Sequence, residues 1–195
     1  MSGVHHQTDF TAAYKVGALT LLTSGPFCIE WCVTLCLHAM VPNSNSALIL
    51  VVCGSLFAVL GACGGAALAK SWRNCPRVAA IGAFLMVPFM FALWSYLASP
   101  PAGGLGAFFW QAMALGSLGC LGIGMNLTAA LGYLGKAYKV THNGDTGKVL
   151  GSFGLWWWVD LLLLKAFALY LLGSSTVWGI ILAVVVTLAA IFWWL

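Results

Sequence analysis

The sequence predicts an all-α fold: a polytopic membrane protein built as a bundle of six transmembrane helices with short loops. Three observations predict it. Apolar residues make up 62% of the 195 and charged residues only 6%, against roughly 25% charged in a typical soluble domain. The mean hydropathy is +0.99. The apolar residues also fall into long runs, each near the roughly 20 residues that a helix needs to cross the hydrocarbon core. Twelve charged side chains, eight basic and four acidic, cannot clothe a water-soluble surface. That composition excludes a soluble enzyme, a nucleic-acid-binding protein and a disordered chain. Barrel strands would be shorter and would alternate in polarity, and the run from Ile180 to Ile191 does not alternate.

Residues 1–15 form a polar N-terminal segment, and residues 16–195 form the six-helix domain. The first apolar stretch runs from Val16 to Met40, the second from Ala47 to Ala69 and the third from Val78 to Ala98. The fourth runs from Ala107 to Tyr133, the fifth from Val149 to Leu172 and the sixth from Thr176 to Leu195. Turn-forming residues separate them: Pro42-Asn43-Ser44-Asn45, Pro100-Pro101-Ala102-Gly103-Gly104, Asn143-Gly144 and Gly173-Ser174-Ser175. Lys15 precedes the first stretch. Lys70, Arg73 and Arg77 lie between the second and third, and Lys136, Lys139 and Lys148 between the fourth and fifth. Alternate loops are therefore basic, which by the positive-inside rule places both termini on the cytoplasmic or matrix side. Met1 to Phe10 is polar and the first apolar run is long, so no cleavable signal peptide is expected.

Three charged residues fall inside apolar stretches: Glu30, Asp160 and Lys165. An ionised group in hydrocarbon costs at least about 2.5–3.5 kcal/mol, so each must be paired, hydrated or neutral. At 1.5 Å per residue, Glu30 lies roughly 21 Å into the first stretch, Asp160 roughly 16 Å into the fifth and Lys165 roughly 24 Å. Glu30 and Lys165 can pair if those stretches touch. Glu30, Thr34 and His38 recur every four residues and so share one helix face. Ser24-Gly25-Pro26 stands just before them, and proline removes a backbone hydrogen bond. A helix broken beside an acidic residue is how several transporters build a midplane site. The other reading is a kink that packs, with the carboxyl satisfied by Lys165 or by a partner subunit.

Cys28, Cys32 and Cys36 form a stripe roughly opposite, read either as a soft-metal path or as small apolar side chains at a helix contact. No metal ligand set and no other cofactor is expected, although a bound phospholipid is. Gly54, Ala58, Gly61 and Gly65 on the second stretch, and Gly116, Cys120 and Gly124 on the fourth, are rows of small residues at four-residue or near-four-residue spacing. Such rows bring helix backbones together. Gly122-Ile123-Gly124 is either a hinge or part of that packing.

Asn126-Leu127-Thr128 fits the glycosylation pattern but lies within a span, and Gly144-Asp145-Thr146-Gly147-Lys148 reads as a turn rather than a phosphate loop. Trp72, Trp94, Tyr96, Trp110, Trp193 and Trp194 fit the interfacial belts. Trp156, Trp157 and Trp158 fall near mid-depth, where their N–H groups want partners. Lys70, Trp72, Arg73 and Arg77 suit an anionic lipid head group. The other reading of that cluster is ordinary topology signalling.

In length and span number the chain is similar to the acetate and succinate channel family. Where that family enters its first span with Asn-Pro-Ala-Pro-Leu-Gly, this chain reads Ala12-Ala13-Tyr14-Lys15-Val16-Gly17. The family's aromatic Ser-Tyr-Gly segment is also missing from span three, so no functional residue carries over.

Two functions fit these features, and neither is enzymatic. The first is a non-catalytic accessory subunit of a larger membrane complex, of the energy-transducing, respiratory type. It would sit among other membrane subunits and lipids, with the mitochondrial inner membrane as the leading location. The second is a small-solute or ion channel or transporter, self-assembled as a homo-oligomer, with a polar route lined by Glu30, Thr34, His38 and Asp160. The plasma membrane is the alternative location.

Overall fold

The computed structural model describes residues 5–42, 45–142, 147, 150–151, 153–155, 162 and 176–195, with side chains over 13–42, 45–136 and 181–195 among them. Every regular element among these residues is helical: α1 His5–Ala39, α2 Ser46–Leu68, α3 Cys75–Ala98, α4 Gly104–His142 and α5 Thr176–Trp194. Four of them hold segments long and apolar enough to cross a membrane, namely Ala13–Ala39, Ser46–Leu68, Cys75–Ala98 and Gly104–Lys136. The fifth carries a shorter apolar helix, Ile181–Trp194. These match the expected first, second, third, fourth and sixth stretches. The expected fifth, Val149 to Leu172, lies mostly outside the described residues.

The helices outrun the apolar stretches where nothing stops them. No proline or glycine stands between His5 and Val16, and α1 begins at His5, so the polar segment is continuous with the first span. At its far end α4 likewise outruns its apolar stretch, continuing past Tyr133 and through Gly135 to His142. Stops appear where backbone chemistry demands them. Pro76 opens the first turn of α3, where its missing N–H costs nothing. Gly104 opens α4 at φ +56°, a conformation that a side chain would disfavour.

Packing centres on α4, which touches α1, α2 and α3. A Cβ at Gly61 of α2 would overlap the Leu121 carbonyl of α4, and one at Gly65 would lie 3.0 Å from Met125 Cα. From the other side, a Cβ at Gly124 would overlap the Ala58 carbonyl of α2. On the opposite flank, a Cβ at Gly82 of α3 would lie 2.6 Å from the Gly122 oxygen. Gly122-Ile123-Gly124 is thus helical and in contact with two helices at once, which is packing rather than a hinge. Lipid offers no hydrophobic drive for helices to associate, so this close approach supplies dispersion that bulkier residues would forfeit.

Helix direction alternates from α1 to α4, and α5 runs parallel to α4. Ala13 and Val16 of α1, Cys75 and Ala79 of α3, Ala130 and Leu134 of α4, and Ile191 and Trp194 of α5 share one buried cluster. Phe27, Leu50, Phe89, Phe108 and Val184 share the other, toward the opposite end.

The expected break at Pro26 does not occur: α1 runs through it. Proline lacks the N–H that would bond to the Leu22 carbonyl four residues back. Thr187 of α5, fully buried, donates its hydroxyl to that carbonyl at 3.4 Å. A neighbouring hydroxyl thus meets the acceptor that proline leaves behind, which is how membrane helices tolerate proline. Thr20, Thr23 and Ser24 donate back to carbonyls of the preceding turn, Thr20 to Val16 at 2.8 Å and Ser24 to Thr20 at 2.6 Å. Thr187→Val should cost about 0.6–1.7 kcal/mol of unfolding free energy in detergent, the range for interhelical hydrogen bonds in membranes. In a Pro26→Ala background, where residue 26 regains its N–H, the same substitution should cost almost nothing. Equal costs in both backgrounds would show that Thr187 does not serve Leu22.

Candidate functional site

Two aromatic residues set the rotation of α1. Phe27 lies on Gly119 and Trp31 on Gly116 of α4, so close that a Cβ at either glycine would overlap the ring. The two rings stack at 6.2 Å, and each meets the edge or face of Phe89 of α3 at 5.4 Å. This seating turns the Glu30, Thr34 and His38 face inward. All three are buried, at 5%, 0% and 1% exposure. The expected alignment of these residues therefore holds, and the face is enclosed by the chain's own helices.

Thr34 donates its hydroxyl to the Glu30 backbone carbonyl at 3.0 Å, so its proton is committed to the helix. Both carboxyl oxygens of Glu30 are buried with no hydrogen-bond partner among the described residues. The same is true of His38 Nε2 and Trp94 Nε1. His38 stacks parallel on Phe108 at 6.3 Å and meets Phe109 edge-on at 5.7 Å. Tyr96 stacks on Phe108 at 4.4 Å. The C-terminal end of α1 is therefore walled by rings, with a histidine nitrogen and a carboxyl group two turns apart on one buried face. A buried polar group without a partner costs roughly 1–3 kcal/mol on mutational scales. Asp160 and Lys165, the other intramembrane charges, lie outside the described residues, as does the expected pairing of Glu30 with Lys165. Trp156, Trp157 and Trp158 lie there too.

About two turns along α1 from Glu30, Asn126 joins three helices. Its Nδ2 donates to the Ala79 carbonyl of α3 at 2.9 Å, and its Oδ1 lies 3.2 Å from the Thr23 hydroxyl of α1. Asn126 is fully buried. Sequence reading treated it only as a glycosylation pattern; its place beside the small-residue row of α4 was the available signal for an interhelical polar contact.

The basic residues gather at one end. Lys70, Arg73 and Arg77 are exposed, as is Trp72. The Arg73 guanidinium lies 5.6 Å from the Trp72 ring centre, within cation–π range. Trp72 meets Tyr133 of α4 at 6.5 Å. Lys136 Nζ donates to the Ala69 carbonyl, tying the end of α4 to the end of α2. Neither Tyr133 nor Lys136 was singled out from sequence as part of this cluster. On the other face of α1, Cys32 and Cys36 are exposed and Cys28 is half-buried, so that stripe points away from α4. Among the described residues, no group of three or more His, Cys, Asp or Glu side chains could hold a metal ion.

No family model matches the sequence, and no curated protein or solved structure matches it. The similarity to the acetate and succinate channels is thus one of length and layout alone.

The state of Glu30 can be tested through stability. Glu30→Leu should raise the unfolding free energy in detergent by roughly 1–3 kcal/mol, since it removes a buried carboxyl group that meets no partner among the described residues. Glu30→Gln should leave it near the wild-type value. A loss of stability in Glu30→Leu would reveal a bonded carboxyl group.

Proposed function

We propose that the chain is an integral membrane channel or transporter that passes a proton or small cation along a polar route beginning at Glu30. The observation that carries this reading is the enclosure of the Glu30 carboxyl within one protomer, with no partner among the described residues. A carboxyl group kept for structural pairing would be expected against a cation or at the rim, where a partner subunit can reach it. A group that must bind and release a charge has to be left unpaired, at a cost in stability that a purely structural residue would not carry. Thr34 and His38 continue the route along the same face toward the end of α1; Asp160, the fourth residue of the route expected from sequence, lies outside the described residues.

The six-span count and the placement of both termini on the cytoplasmic or matrix side belong to the same proposal. The buried clusters support the count: the ends of α4 and α5 lie in one cluster, so a further crossing between them satisfies the alternation. The gathering of Lys70, Arg73, Arg77 and Lys136 at that end supports the orientation.

The second reading is a non-catalytic accessory subunit of a respiratory-type complex in the mitochondrial inner membrane. One observation is compatible with it. Leu48, Val52, Leu56, Val59 and Leu60 of α2 are exposed, an apolar face that either lipid or another subunit can cover.

Purified chain in liposomes, with a pH-sensitive dye inside and an imposed potential, separates the two. The transporter reading predicts proton or monovalent-cation flux that Glu30→Gln reduces at least tenfold. Flux unchanged in Glu30→Gln contradicts it. An inert wild-type chain that co-migrates with a large complex from native membranes supports the subunit reading instead.

A further inference from the structure

The basic end has the form of a lipid site, and this stands apart from the function of Glu30. Lys70, Arg73, Arg77 and Lys136 bring four positive charges to the junction of α2, α3 and α4. The only side-chain carboxyl group among the described side chains is that of Glu30, which lies deep in α1 and meets no cation among them. The cations at this end are therefore unbalanced by any described acidic side chain.

Their backbone is held in place from behind. The Ala69 carbonyl accepts from Lys136, the Asn74 N–H donates to the Ser71 carbonyl at 3.1 Å, and the buried Cys75 thiol donates to that same carbonyl at 3.4 Å. Lys70, Trp72 and Arg73 consequently project from an ordered turn rather than from a loose loop.

What distinguishes a lipid from a free anion is the surface beside the charges. Leu56, Leu60, Gly64 and Leu68 recur every four residues on α2 and so share one face. The three leucines are exposed, at 59%, 52% and 56%. A Cβ at Gly64 would meet nothing within 4 Å, so the row is open there. It ends at Lys70 and Trp72, where an indole suits the head-group level.

We infer that an anionic phospholipid binds here, its phosphodiester among Lys70, Arg73 and Arg77 and one acyl chain along the Leu56–Leu68 face of α2. A free phosphate would use the cations and ignore that face.

Native mass spectrometry of the full chain in detergent, titrated with phosphatidylglycerol or phosphatidylcholine, tests this. Phosphatidylglycerol should be retained at least tenfold better. Arg73→Gln and Arg77→Gln should each weaken it about fivefold, the equivalent of about 1 kcal/mol per basic residue near an anionic surface. Leu56→Ser with Leu60→Ser should weaken it without touching a cation. Both sets of variants must unfold at the wild-type temperature, and single-cation variants spare the membrane insertion that a triple variant would endanger. Equal retention of both lipids overturns the proposal. So does thermal stabilisation by inorganic phosphate to the same extent as by phosphatidylglycerol, which would make the cluster an anion site only.

Discussion

Close backbone contact between α4 and its neighbours organises the bundle. Apolar surface gains nothing by leaving lipid for protein, so what holds helices together is contact density and the few polar bonds between them. Gly122 and Gly124 stand two residues apart on α4, which places them on different sides of the helix. One meets α3 at Gly82, and the other meets the Ala58 turn of α2. A side chain at either position would separate two backbones. The polar bond of Asn126 to the Ala79 carbonyl then fixes the sliding position of α3 on α4.

The same principle operates with rings in place of backbone. Gly116 and Gly119 leave space on α4 that Trp31 and Phe27 of α1 fill. Because these aromatics flank Glu30 in the sequence, seating them decides which way Glu30 points. A carboxyl group would not be placed in an apolar interior by its own preference; it is carried there by two large rings that fill the space over Gly116 and Gly119 of α4.

The sequence made the apolar spans legible because length and hydropathy are local properties: five of the six expected stretches correspond to helices within a few residues at most ends. The helix starts were less legible. His5 to Lys15 is polar, and hydropathy does not see a helix that simply continues out of the span. The Glu30, Thr34 and His38 face followed from spacing alone, since period-four placement is a property of one helix. What could not be read was which helix each face meets. Thr187 answering Pro26, or Lys136 answering Ala69, joins residues more than 65 positions apart, and no local pattern marks such pairs. The small-residue rows did announce contact, and their partners became known only in three dimensions. For the same reason Asn126 does not stand out in the sequence: its tripeptide matches a glycosylation pattern that its place within a span sets aside, while its burial makes it a bond between helices.

The bundle depends on α2 and α4 lying backbone to backbone, and oxidative cross-linking measures that directly. A Cβ at position 54 of α2 would stand 3.0 Å from the native Cys120 Sγ of α4, and across an S–S bond of about 2.04 Å a cysteine Cβ lies about 3 Å from its partner's sulfur. In a Gly54→Cys chain treated with a mild oxidant, peptide mass spectrometry should find residues 54 and 120 linked within one chain. A folded Gly54→Cys chain whose cysteine at 54 and Cys120 both stay reduced, or link elsewhere, would contradict the arrangement on which the buried face of α1 rests.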